Sequence, residues 1–401
     1  MIDAAALARD TAALVQVPSP TGDERAALER LGELAAALGL DAELHTHDLA
    51  ALRAHPDHPG EEAPRSELLG LTVTLPGERP GRICLNGHVD VVAVGSAPWR
   101  HGPWSGRVED GWVHGRGALD MKGGVVAALH ALAALRGGGE HPAVVLQAVA
   151  SEEDGGLGTF AALERDDAFD ACLIAEPTAF EVVCAQAGAL TFRATVRGRA
   201  AHAAMRLAGR SALDRYLGLH LAIQAHERAV NRDVEHPAMR ALALPYPISV
   251  GRIDGGDWPS SVPDRVTVEG RVGVPLGSDV AAARAAFEAV LDDGEAPPVE
   301  VEWTGGQFAP GATQPEHPWV GAVAAAVRAE RGATAPLTGV PYGADMWLFC
   351  ARGIPTVMVG TPGLELAHAV DERVRVDDLA ALARIIARAV RSAGRTSTAA
   401  G

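Results

Sequence analysis

The fold of this chain is constrained most by a series of short runs, several of them apolar at nearly every position: residues 71–75, 83–85, 143–150, 171–175 and 356–359. A strand with water on one face alternates polar with apolar residues, whereas one covered on both faces need not, so these runs predict parallel strands buried beneath helices. Helical spacing between them, at 4–16, at 23–38 with Gly39 as its stop, and at 125–136 before a glycine run, supplies the covering layers. The alternation predicts an α/β domain with a mostly parallel sheet. Residues 54–65, proline-rich and acidic, read as a loop.

Between about Gly188 and Trp303 the rhythm changes. Segments 191–196 and 266–274 alternate polar with apolar, helices are predicted at 211–228 and 280–291, and further strands near 248–253 and 299–303 complete a βαββαβ order. That order describes a small two-layer α+β domain of ferredoxin-like type. Because the α/β pattern resumes at Trp319, it reads as an insertion. The expected division is 1–186 and 306–401 for the main domain and 187–305 for the inserted one, which suits a chain of 401 residues, too long for one ordinary core.

A formal net charge of −16 repels nucleic acid and anionic membrane alike, so neither is expected as a partner. Lys122 is the only lysine, every other basic residue apart from histidine being arginine, and low complexity is confined to the C-terminal tail. The four cysteines have no knuckle or redox spacing, and Cys84 and Cys172 fall inside apolar runs as core thiols. The amphipathic, acid-bearing N-terminus is unlike a signal peptide, and no apolar stretch reaches the ~20 residues that span a bilayer. The expected location is the cytoplasm.

In open α/β sheets ligands gather beyond the carboxyl ends of the strands. His88, Glu152, Glu153 and Glu176 all follow apolar runs in this way. Asp120 lies in the glycine-rich stretch 115–124 that opens a helix, and His368 lies far downstream. Imidazole and carboxylate are ligands that zinc accepts, and His88, Asp120, Glu153, Glu176 and His368 make up the set that two ions sharing one carboxylate require. Asp90, two residues after His88, could hold its other ring nitrogen. Glu152 and Glu153, as neighbours on extended backbone, should point in opposite directions, one toward metal and the other toward water. Taken singly, each has a plainer reading: a strand-end histidine, a phosphate-cradling glycine loop (though without Walker spacing), a solvated acidic turn.

Jointly, Gly87-His-Val-Asp90, the 115–124 stretch, Ser151-Glu-Glu-Asp-Gly-Gly156, Ala175-Glu-Pro177, Gly343-Ala-Asp345 and Ala367-His-Ala-Val-Asp-Glu372 resemble, in order, the two-zinc amidohydrolases. That superfamily includes acetylornithine deacetylase, succinyl-diaminopimelate desuccinylase, aminoacylase and glutamate carboxypeptidase. The resemblance implies that His88 and Glu176 hold one zinc, Glu153 and His368 a second, and Asp120 both; cobalt or manganese would suit the same set. It implies that Glu152 is the general base, that Asp90 supports His88, and that the Asp120–Met121 peptide is cis. It also implies that the insertion is a lid through which a homodimer forms, with His202 stabilising an oxyanion in its own or the partner's site and Arg271 binding a substrate carboxylate. Arg271 falls on the polar face of its predicted strand. Ser260 stands where many relatives carry a substrate-contacting asparagine, and the threonine that some relatives place before Asp345 is missing. The expected activity is hydrolysis of the amide of a small N-acyl amino acid or related carboxylate. A carboxypeptidase or dipeptidase is the alternative, and a non-catalytic metal-binding homologue a more remote one.

Overall fold

A computed structural model describes residues 2–393, and the tail read as low complexity lies almost wholly outside them. The chain divides into two compact units, one formed by residues 2–185, 312–338 and 344–393, the other by 186–311 and 339–343.

The first unit is built on a mixed sheet. At its centre Pro142–Val149, Arg79–His88, Ala171–Ile174 and Thr356–Met358 lie side by side and mutually parallel, with antiparallel strands Leu69–Leu75 and Asp41–Thr46 on one flank and Val182–Gln186 on the other. From Ile83 and Val144 onward, and throughout Ala171–Ile174 and Thr356–Met358, the parallel centre is buried, as its largely apolar runs require. Helix Lys122–Arg136 is buried along most of its length, and the strongly amphipathic Val376–Ser392 packs against it and against Pro318–Arg331. The predicted N-terminal helices occur as Ala4–Val15 and Arg25–Ala37, the first capped by Asp3. Cys84 and Cys172 are buried and face each other across adjacent strands. The edge strand Asp41–Thr46 and a short three-stranded sheet of Arg107–Glu109, Trp112–His114 and Arg373–Arg375 were not anticipated. Among the described residues no helix is long and apolar enough to cross a membrane.

Register aligns the candidate site. His88 pairs with Val149, three residues before Glu152, and Asn86 pairs with Ile174, two before Glu176. Parallel strands that end together therefore release these side chains at one edge. Two glycines let that edge close up: a Cβ on Gly124 would lie 2.4 Å from the Ala175 carbonyl oxygen, and one on Gly360 would lie 2.1 Å from that of Glu176.

The second unit pairs its strands in the order Ile248–Gly255, Arg265–Val274, Gly188–Arg197, Glu300–Phe308, all antiparallel. Helices Ala212–Val230 and Val280–Val290 cover one face through a core in which the Phe192 and Phe287 rings meet at 4.7 Å. Alternation of Phe192, Ala194 and Val196 with exposed or half-buried neighbours is the period-two pattern of a half-wet sheet.

Behind the Glu152–Glu153 turn in the first unit lies a buried ion network. The Arg65 guanidinium, fully buried, meets Glu24 at 3.3 Å and Asp154 at 3.4 Å, while Asp154 also accepts from the amides of Glu62 and Ala63 and from the Ser151 hydroxyl. Removing one partner from a buried pair strands the others without counter-charge, typically at about 3–5 kcal/mol. Arg65→Ala is therefore expected to lose about that much stability, read as a lowered urea midpoint; an unchanged midpoint would mean that the network carries no net stability.

Candidate metal centre

Asp120 is the centre of the arrangement. It directs Oδ1 to His88 Nε2 at 3.3 Å and Oδ2 to His368 Nε2 at 3.4 Å, one oxygen to each histidine. His88 Nε2 also lies 3.8 Å from Glu176 and 3.9 Å from Glu152, whereas His368 Nε2 lies 3.2 Å from Glu153. Two potential cation sites follow, His88–Asp120–Glu176 and Asp120–Glu153–His368, each with its ligand atoms within 4.8 Å of one another and with Asp120 common to both. The Asp120–Met121 peptide is cis.

The charges suit cations. Four carboxylates, those of Asp120, Glu152, Glu153 and Glu176, converge on two imidazoles, and buried charges are tolerated when paired or when they coordinate metal. Burial and the neighbouring Asp120 charge push Glu176 up to about 8, and burial likewise raises Glu152 and Glu153. Burial alone would raise Asp120 too, yet hydrogen bonds from His368 and His88 hold it low. Those to Asp120 and Glu153 in turn push His368 up to about 10. The donor set of imidazole and carboxylate oxygen fits a pair of divalent cations of zinc type. The His88 side chain is 1% exposed and that of His368 52%, so the centre opens to solvent on the His368 side.

The supporting contacts differ in detail from expectation. His88 Nδ1 lies 2.9 Å from the backbone carbonyl of Asp90, closer than the Asp90 carboxylate at 3.6 Å. That carboxylate instead accepts from the amides of Glu152 and Glu153 at 3.1 and 3.2 Å and from the Thr21 hydroxyl. The two glutamates are not on extended backbone: Ser151 takes a left-handed φ of 63°, and they lie in the turn that follows. They turn to different histidines through the geometry of that turn rather than through strand alternation.

Three residues that carried no role in the sequence reading hold the centre together. The Glu372 carboxylate accepts from the amides of Leu119 and Asp120 at 2.9 and 3.1 Å and pairs with Arg116 at 2.6 Å, and Arg116 also donates to the His368 carbonyl. His368 itself sits at φ 60°, a left-handed backbone uncommon for a residue with a side chain. The third is Asp345, fully buried, which accepts at 2.5 Å from Thr159, itself bonded to Asn86 on the His88 strand; burial pushes Asp345 up to about 7. All three lie in motifs visible in the sequence, at 115–124, 343–345 and 367–372, but nothing in those motifs marks what each holds.

His202, Ser260 and Arg271 belong to the second unit. His202 caps a short 3₁₀ turn, its Nδ1 accepting from Ala204 at 3.2 Å, and the Ser260 carbonyl accepts from Ala203. Arg271 is exposed on its strand between Thr191 and Ser249.

Residues 84–392 match the model of peptidase family M20/M25/M40. A succinyl-diaminopimelate desuccinylase of Methylobacterium radiotolerans is 29% identical over 94% of this chain and 93% of its own. Among solved structures, an M20 metallo-carboxypeptidase from Sulfolobus solfataricus superposes with a TM-score of 0.75 at 16% identity, covering 95% of this chain and 97% of that one. A dinuclear metal-binding M20 peptidase from Bacillus subtilis gives 0.67 at 15% identity, with 97% and 98% covered. The chain belongs to peptidase family M20/M25/M40, the metallohydrolases that act on amide bonds.

Proposed function

We propose that this protein removes the acyl group from a small N-acyl amino acid or a related carboxylate-bearing compound. His88 and Glu176 would hold one zinc ion, Glu153 and His368 a second, and Asp120 both. What chiefly supports the reading is the Asp120 carboxylate, offering one oxygen to each half of a dinuclear site with Glu152 alongside. Full-length relatives named succinyl-diaminopimelate desuccinylases support a deacylase rather than another amide hydrolase. Such ions supply Lewis acidity toward a carbonyl and make water a nucleophile near neutrality.

Glu152 is the residue that moves protons. Held by its amide on Asp90 and raised by burial, it takes a proton from the attacking water and returns it to the departing amine. Asp90 fixes His88 through its carbonyl and the glutamate turn through its carboxylate. Arg271 receives the substrate carboxylate, Ser260 takes the place of an amide contact, and His202 steadies the oxyanion. A second reading, carboxypeptidase or dipeptidase, draws support from the peptidases that share the fold.

The second unit is the proposed dimerisation surface. Its edge strand Ile248–Gly255 leaves Ile253 exposed, and Leu213, Leu217 and Leu221, spaced four apart on one helical face, are 44–64% exposed. No residue of that row serves the unit's own core.

Three outcomes are expected. Zinc-loaded enzyme hydrolyses acetyl, formyl or succinyl amino acids faster than dipeptides and loses turnover when chelated, and Arg271→Ala raises KM for those substrates; faster dipeptide cleavage would assign the peptidase reading. Glu152→Gln lowers kcat by about 10²- to 10⁴-fold with bound metal unchanged, and wild-type turnover in that variant would remove Glu152 from the role. Leu217→Glu combined with Leu221→Glu sediments as a monomer where the wild type sediments as a dimer. Retained activity in that monomer places His202 in its own subunit's site.

A further inference from the structure

A second group of metal-type ligands lies in the first unit and takes no part in the centre described above. His101, Glu109 and His114 bring three ligand atoms within 4.8 Å of one another. Glu109 and His114 belong to the two strands of one hairpin, and His101 precedes it. His101 Nε2 lies 3.2 Å from Glu109 Oε2, close to the separation of about 3.4 Å expected of two ligands sharing a tetrahedral zinc ion. Although buried, that nitrogen makes no hydrogen bond, so the carboxylate 3.2 Å away sits at ligand spacing without satisfying it. The His114 ring stands edge-on to that of His101, with centroids 4.8 Å apart.

We infer that His101, Glu109 and His114 form an additional, weaker site for a zinc-type divalent cation. Two imidazoles and one carboxylate are a ligand set that zinc uses with a fourth position left to water. Burial lowers the His114 imidazole, and the hydrogen bond from Arg107 to the other Glu109 oxygen lowers that carboxyl. Weakness follows from the neighbours. Arg107 pairs with Glu109 at 2.6 Å, and Arg100 and Arg373 bear electrostatically on His114, so a dication enters an already cationic surround.

An ion here would act on the His368 loop. The Arg100 amide, next to His101, donates to Asp371 at 2.7 Å, and strand Arg373–Arg375 pairs with the strand carrying His114. Asp371 and His368 both hold left-handed backbone, so fixing His101 against His114 steadies the loop that delivers His368 from two directions.

The test is equilibrium dialysis of the full, metal-stripped chain against stepped zinc concentrations, with bound zinc counted by mass spectrometry in wild type, His101→Asn and Glu109→Gln. The wild type should bind one more ion per chain than either variant, that ion being the last to bind and its binding raising the thermal midpoint in the wild type alone. Equal zinc in all three proteins would overturn the proposal. Because the reading is a difference between proteins, it stands whether the Asp120 centre holds two ions, one or none. The two substitutions fall on separate segments, so misfolding of one leaves the other to decide.

Discussion

Carboxylates repel one another, and the cost rises as water is removed; this molecule nevertheless collects four of them, with two imidazoles, at the end of a buried sheet. That concentration of acid is the constraint to which the surrounding anchors answer. Three of the four, Asp120, Glu152 and Glu153, are held by their own backbone amides, which supporting carboxylates accept, and Arg116 and Arg65 pair with two of the supports. Asp90 takes two amides, Glu372 takes two more, and Asp154 a third pair from the loop that passes behind. Supports bound in this way fix the backbone of Asp120, Glu152 and Glu153 and leave the side-chain oxygens of those residues to face the histidines.

These anchors also explain how residues so far apart in sequence act as one centre. Glu372 ties the Asp120 turn to the segment bearing His368, and Arg116 grips both the Glu372 carboxylate and the His368 carbonyl. Asp90 ties the end of one parallel strand to the turn beyond its neighbour. The arrangement is layered: cation-facing atoms first, then carboxylates that read amides, then the buried Arg65 beneath the Glu152–Glu153 turn.

Much of this was legible in the sequence, for physical reasons. Strands covered on both faces read as near-continuous apolar runs, so the parallel centre was plain, and the residues just past those runs were placed at one edge. The half-wet sheet of the second unit was equally visible in the alternation along 191–196 and 266–274. Asp41–Thr46 is hard to see because it is a short, largely exposed edge strand whose only apolar residues are Ala42 and Leu44. The left-handed turn at Ser151 is not legible because serine, unlike glycine, gives no sign of such backbone, and the residues alone read Glu152 and Glu153 as strand neighbours. Glu372 and Arg116 sit within recognisable motifs, but their bond spans 256 positions, and nothing local in either residue marks its partner.

The interruption of the first unit by residues 186–311 bears on how the centre is made. Synthesis delivers His88, Asp120, Glu152, Glu153 and Glu176 first and His368 only after the entire intervening unit has been translated. A growing chain therefore carries the acids of this centre well over a hundred residues before it carries the imidazole of His368, so the Asp120–Glu153–His368 group is the last part of the centre to be completed.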